Sequence, residues 1–182
     1  MFSIIIPTFN NLEYLKLCLD SINKNSKFTH EIIIHINEGV DGTLDFLSRC
    51  KFKTTYSKIN SGVCVAFNHA AKLATKKYII LAHDDMYFCP GWDECFDNEL
   101  QTLNQKDFFL SGTMVQPFES YINLDCGKTF NDFNEKKLLD ELPKIKFDNF
   151  QGTHWQPSLI PLKTWNKVGG FSEEFFPGTG SD

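Results

Sequence analysis

With 182 residues, 42% of them hydrophobic and 14% aromatic, the chain has enough apolar material for one packed domain and is no disordered tail. A formal net charge of −5 speaks against a nucleic-acid partner, because a surface that neutralises phosphates carries excess Lys and Arg. A small anionic ligand stays open, since a bound cation can supply the missing positive charge.

The opening "MFSIIIPTFN" has too short an apolar run for a signal peptide, and no window approaches the length of a transmembrane helix. The six cysteines, at 18, 50, 64, 89, 95 and 126, form no CxxC pair and no zinc-like spacing. They read as reduced, buried thiols, and the expected location is cytoplasmic, with peripheral membrane contact left open.

Ser3-Ile4-Ile5-Ile6 is a β-branched run stopped by Pro7, which predicts a central buried strand. In "NNLEYLKLCLDSINKN", Leu12, Leu15, Leu19 and Ile22 fall at helical spacing with Asn10 or Asn11 as N-cap. "EIIIHI" predicts a second strand, "DGTLDFLSRC" a second helix and "KTTYSKI" a third strand. "NSGVCVAFNHAAKLATKK" predicts a turn at Gly62 and a helix packing Val65, Ala66, Ala70 and Leu73. Tyr78 to Ala82 is the fourth strand.

This β-α-β-α-β-α-β order, with nearly all-apolar strands, predicts an α/β fold with a mostly parallel sheet flanked by helices. Ligands of such sheets bind beyond the carboxyl ends of the strands, where Pro7-Thr8, Asn37-Glu38, Asn60-Ser61-Gly62 and Asp84-Asp85 all lie. In the second half "WDECFDNELQTLNQ" predicts a helix, "DFFLSGTMVQP" a strand and "NEKKLLDELPKI" a helix stopped near Pro143. The closing stretch from Phe150 is rich in Gly, Pro and Trp and has little periodicity.

The carboxylate pair at the mouth of the fourth strand carries the most chemistry. Two adjacent carboxylates repel unless a cation or hydrogen-bond donors relieve them. Mg²⁺ or Mn²⁺ takes a few carboxylate oxygens and completes its shell from water and phosphates. A bare Asp-Asp pair is otherwise a solvated turn.

Its neighbourhood resembles the family 2 glycosyltransferases of the GT-A (Rossmann-like) fold. "SIIIPTFNNLEYLKLCLDSI" resembles their opening strand and helix, and "NSGVCVAFNHAAKLATKKYIILAHDDM" the segment that leads into their DxD-type motif. "VGGFSEEFFPGTGSD" resembles the segment that leads to the acceptor-side acid. The resemblance implies a nucleotide-sugar-binding half over 1–92 and an acceptor-side half of the same domain over 93–182. Pro7 and Thr8 would line the base and ribose pocket, with Asn10, Asn37, Glu38, Asn60, Gly62 and His83 completing the nucleotide-sugar set. Asp84 would face the ribose and metal region, and Asp85 would coordinate the Mn²⁺ or Mg²⁺ that bridges the diphosphate.

In the family, a carboxylate takes the proton of the acceptor hydroxyl as it attacks the anomeric carbon with inversion. Asp182 is the matching residue. Trp155 is a sugar-stacking platform or a core residue, with His154 and Gln156 as polar contacts; His154 as a metal ligand competes with a hydrogen-bonded loop histidine. Gly62 at a helix start could offer amides to phosphate or be a plain turn. His69 reads as a helix-surface or packing residue.

Two departures stand out. The family's pair of aspartates after the second strand is replaced by Asn37-Glu38, which leaves the base open, and the chain stops at Asp182 where the family continues, which points to a fragment. The expected partners are a nucleotide-diphosphate sugar donor and a glycan, lipid-linked or other hydroxyl acceptor in polysaccharide or glycoconjugate synthesis. Two rivals are a non-catalytic nucleotide-sugar-binding module and a sugar-phosphate nucleotidylyltransferase. The second would show a Gly-rich basic loop near the first strand, and "PTFNNLEYLK" has none.

Overall fold

Isoleucine sets the frame. β1 (Ser3–Phe9), β2 (Glu31–Asn37) and β4 (Tyr78–Leu81) place Ile4, Ile5, Ile6, Ile33, Ile34, Ile79 and Ile80 wholly out of solvent. Because alternate residues point to opposite faces, one strand serves two cores. Ile4, Ile6, Ile34, Ile36 and Ile80 meet α1 (Leu12–Asn25), through Leu15, Leu19 and Ile22, together with Phe88 and Phe96. Ile5, Ile33, Ile79 and Leu81 meet Phe67, Ala70 and Ala71 of α3 (Val63–Ala71) on the other face. The short α2 (Thr43–Ser48) leads to β3 (Lys53–Ser57) at the sheet edge.

The structure, a computed structural model, describes residues 1–117, 122–146 and 156–178. After β4 come α4 (Trp92–Thr102), β5 (Leu110–Ser111), β6 (Val115–Gln116), β7 (Ile122–Asn123), α5 (Glu135–Glu141), β8 (Ser158–Pro161) and α6 (Leu162–Val168). The main sheet has the order β3-β2-β1-β4-β8-β5. β1 to β4 run parallel, and β8 is antiparallel to both β4 and β5. β6 and β7 form a separate two-stranded ladder. The chain thus crosses from one side of β1 to the other between β3 and β4. That reversal opens a crevice beyond the carboxyl ends of β1 and β4, the switch point where open α/β sheets bind ligands.

Buried Asp93, at the start of α4, ties the sheet layers at the far end. Its carboxylate accepts from the main-chain N–H groups of Lys27 and Phe28, at 2.9 Å each, and contacts His30 Nε2 at 3.0 Å.

Several sequence expectations need correction. Pro7 does not stop β1, which runs on to Phe9. The Ile5 carbonyl accepts from Ala82 N–H, so residue 7, of the same parity, turns its missing N–H to the side where β4 has already ended. Leu73 is exposed beyond the end of α3, and Phe67, Cys64 and Ala71 do its expected packing with Ala66 and Ala70. "DFFLSGTMVQP" is two short strands in different sheets rather than one. β8 and α6 were not expected from the aperiodic closing stretch. All six cysteines are free thiols, but only Cys18, Cys64 and Cys126 are buried, and Cys95 is exposed. No helix among the described residues is long and apolar enough to cross a membrane.

Candidate active site

Four loop systems meet beyond the carboxyl ends of the parallel strands. Thr8, one residue from the end of β1, is buried, and its hydroxyl makes no hydrogen bond of good geometry. It lies close enough to Asp84 to favour the ionised carboxylate, as does the Asn11 side chain. Even so, burial first, and then the charge of Asp85, push Asp84 above the ordinary aspartate range. Asp84 is half-buried and Asp85 exposed. The nearby charge of His83 also favours the ionised form of Asp84. A buried hydroxyl beside Asp84 and two crowded carboxylates face one opening.

The loop after β2 is held from both sides. Asn37 Oδ1 accepts from the N–H and the hydroxyl of Ser61, both at 2.9 Å. Glu38 sits in the left-handed region with φ of 59°. Its carboxylate accepts from the Asn60 N–H at 3.2 Å and from Asn10 Nδ2 at 3.2 Å. Asn10, also left-handed with φ of 47°, accepts in turn from the Val40 N–H. Asn10, Asn37, Glu38 and Asn60 therefore form one hydrogen-bonded rim around the ends of β1, β2 and β3.

Gly62 N–H donates to Asn60 Oδ1 at 3.0 Å, and the next amide, Val63, donates to the Pro177 carbonyl at 2.8 Å. A Cβ on Gly62 would stand 3.0 Å from the Phe176 ring and 3.1 Å from that carbonyl, at a φ of 82°. The glycine is there because the 175–178 backbone lies directly against the turn. Asn68, in α3, grips the same segment, giving Nδ2 to the Phe171 carbonyl and accepting the Phe171 N–H.

His83 packs edge-on against Phe67, with 5.7 Å between ring centres. His69 lies 5.6 Å from the buried ring of His35, a packing role away from the crevice. A cavity of about 790 Å³ opens beside Asp85, lined by Tyr14, Met86, Tyr87, Trp92 and Phe130 among others. Gln156 also lines it, and its buried Oε1 has no partner. His154, Trp155 and Asp182 lie outside the described residues.

Sequence reasoning missed four contributors. Asn11, adjacent to the named Asn10, is the residue that reaches Asp84. Asp41 accepts the first free amide of α1, Leu12 N–H, at 2.7 Å, a capping bond that comes from outside the helix. Ser21 and Asn25 are polar at buried positions of α1, and that mismatch with the apolar stripe was the available signal.

The residues fit a divalent cation in part. Asp84 and Asp85 supply hard oxygen ligands and crowded negative charge, with no third His, Cys, Asp or Glu grouped with them in a metal-holding cluster among the described residues. That is the donor set of an ion that keeps water and phosphate in its shell rather than of an all-protein cage.

Comparison with known proteins follows the same lines. The model of the family "Glycosyl transferase family 2" matches residues 3–105. The chondroitin synthase of Pasteurella multocida is 25% identical over 177 residues, which cover 94% of this chain and 17% of that protein. The mannosyltransferase PcManGT of Pyrobaculum calidifontis, solved with GDP-Man and Mn²⁺, superposes with a TM-score of 0.67 at 17% identity, over 100% of this chain and 49% of that one. S. aureus TarS 1-349, solved with UDP, gives a TM-score of 0.66 at 19% identity, over 95% of this chain and 50% of that one. The chain thus spans about half the length of these solved chains and less than a fifth of the synthase. These likenesses give the fold as GT-A, and since the family model covers more than half of the sequence, the chain belongs to glycosyl transferase family 2.

Proposed function

We propose that the chain carries the donor site of a metal-dependent, inverting glycosyltransferase that moves a sugar from a nucleoside-diphosphate sugar to a hydroxyl acceptor. The observation that carries this reading is the Asp84–Asp85 pair at the β1–β4 switch point, crowded together beside the buried Thr8 hydroxyl. Two structural neighbours, one solved with UDP and the other with GDP-Man and Mn²⁺, favour a nucleotide ligand and a divalent ion.

In this reading Thr8 and the Asn10–Asn37–Glu38–Asn60 rim hold the nucleoside. Asp84 and Asp85 would hold the cation, which when bound supplies positive charge to the departing diphosphate. The rim's hydrogen bonds keep it in place before any ligand arrives, so little ordering remains at binding. Gln156 and the aromatic wall beside Asp85 offer a face to the transferred sugar or the acceptor. Asp182 is the proposed base, taking the acceptor proton as the new glycosidic bond forms and the bond to diphosphate breaks. The setting is glycoconjugate or polysaccharide synthesis on the cytoplasmic side of a membrane, in line with the synthase among the relatives.

Calorimetric titration of UDP, GDP and dTDP, each with and without Mn²⁺, tests the reading. One nucleotide should bind better with Mn²⁺, and Asp85→Asn should remove most of that gain, about tenfold or more in affinity. No binding of any nucleotide in any condition would sink it. The second reading is a non-catalytic donor-binding module. It predicts the same titration but no release of nucleotide from any sugar donor.

A further inference from the structure

The loop that carries the carboxylates, residues 82–91, is fastened to one helix by side chains that the donor site does not use. Cys18, Ser21 and Asn25 of α1 are spaced by three and four residues and so share one face. The Cys18 thiol donates to the His83 carbonyl at 3.6 Å. Ser21 Oγ accepts the Phe88 N–H at 3.0 Å while donating to the Cys18 carbonyl at 2.7 Å. Asn25 Nδ2 donates to the Phe88 carbonyl at 2.7 Å and to Tyr87 Oη at 3.1 Å. The Tyr87 hydroxyl donates onward to Glu135, which also pairs with Lys24. Both main-chain polar groups of Phe88 are thereby held by buried side chains of a single helix.

An apolar contact would have covered this loop more cheaply, because burying a polar side chain repays its desolvation only when every bond is made. What the polar contact adds is direction: two hydrogen bonds fix the position and the rotation of the backbone at Phe88, three residues past Asp85. Asp85 itself is exposed and takes its place from its loop. The other end of the same helix begins at Asn11, whose side chain reaches Asp84. One rigid rod therefore touches the carboxylate pair in front and its loop behind.

We propose that Ser21 and Asn25 are positioning residues for the cation-binding carboxylates, acting through the main chain of Phe88. The proposal rests on the donor-site reading above. It does not require either side chain to touch cation or nucleotide.

The test is nucleotide titration, with and without Mn²⁺, on wild type, Asn25→Leu and Ser21→Ala. It is paired with amide hydrogen exchange on the metal-free proteins. Asn25→Leu keeps the branching at Cγ and removes both donated bonds, and should cut the Mn²⁺-dependent gain in affinity about tenfold while leaving metal-free nucleotide binding within about twofold. Exchange should quicken at residues 83–91 with β2 and α3 unchanged.

A variant that loses stability but keeps the full Mn²⁺ gain would overturn the proposal and leave the donor site standing. A wild type that binds no nucleotide under any condition would overturn the donor site, and this proposal with it. Should Asn25→Leu fail to fold, Ser21→Ala, which removes the acceptor for Phe88 N–H together with the donor to the Cys18 carbonyl, decides the matter by the same two readouts.

Discussion

β1, β2 and β4 are four to seven residues long and most of their buried positions are isoleucine or leucine, whereas β5, β6 and β7 have two residues each. The first region can be assembled from nearest neighbours in sequence, strand, helix, strand. The second depends on partners far along the chain: β8 pairs with β4, some eighty residues earlier, and Lys24 of α1 pairs with Glu135 of α5. The difference teaches where the site's precision comes from. The donor rim grows out of long parallel strands whose register is fixed by their apolar faces. The wall beside Asp85 is built from short segments pinned by individual hydrogen bonds.

If that contrast also meant that the second region were dispensable, removing its core residues would cost little. Leu159 of β8 breaks the expectation. It is wholly buried and packs with Ile4, Ile6 and Ile80 in the core on the α1 face. Leu159→Ala should lower the unfolding free energy by about 3 kcal/mol in one cooperative urea transition. A loss below about 1 kcal/mol, or a separate early transition, would mean that β8 docks on a frame already complete without it.

Acid sharpens the comparison inside the first region. His35 of β2 is fully buried, with Nδ1 2.8 Å from Thr55 Oγ1, Nε2 unpartnered, and the His69 ring and the Asn37 side chain as its other polar neighbours. Burial, and then the charge of His69, push its pKa down from 6.5 to about 4. The unfolded chain therefore takes up a proton between about pH 6.5 and 4 that the folded chain refuses. Stability is complete above that window and declines as pH falls through it, by about 3 kcal/mol in all. His30, lowered by burial against the pull of Asp93, adds in the same direction. Glu31 acts lower down: burial would raise it, but bonds from Lys53, Ser3 and Thr75 hold it at about 2, so its contribution is lost between about pH 4.5 and 2. Urea midpoints of wild type and His35→Gln at pH 7 and pH 5 check this. The substitution should remove most of the drop, and an equal drop in both would place the acid sensitivity elsewhere.

Much of the first region was legible because its pattern is local. Isoleucine runs, the Leu12–Leu15–Leu19–Ile22 stripe and the Asp84-Asp85 pair each announce themselves within a few residues. β8 was not legible: Ser158–Pro161 lies between Pro157 and a helix that begins at Leu162, too short to show a period and buried by antiparallel pairing with a distant strand. Pro7 misled because a proline usually ends a central strand. Only the early end of β4 makes room for it. Within the site, the acids and asparagines at strand ends were readable from position alone. The Ser21–Asn25 grip on Phe88 was not, because which buried polar group meets which peptide is decided by tertiary packing.

The smallest expected effect concerns how the rim and α1 are joined. Asn11, at the N-cap position of α1, makes no capping bond with its side chain, and Asp41 from the β2–α2 loop accepts the Leu12 N–H instead while also holding the N–H and hydroxyl of Thr43. Burial would raise the Asp41 pKa, but these donors bring it below the usual aspartate range, the mark of a carboxylate stabilised by hydrogen bonds. A cap supplied from another element is worth about 1 kcal/mol to the helix, and its loss frees the Asn11 side chain to turn back and cap its own helix. Asp41→Ala should therefore cost about 1 kcal/mol in urea unfolding at pH 7. It should also weaken Mn²⁺-dependent nucleotide binding by a few-fold, because an Asn11 that turns to the helix leaves Asp84. A stability loss of that size with unchanged binding would show that Asp41 serves the helix alone and that Asn11 reaches Asp84 without it.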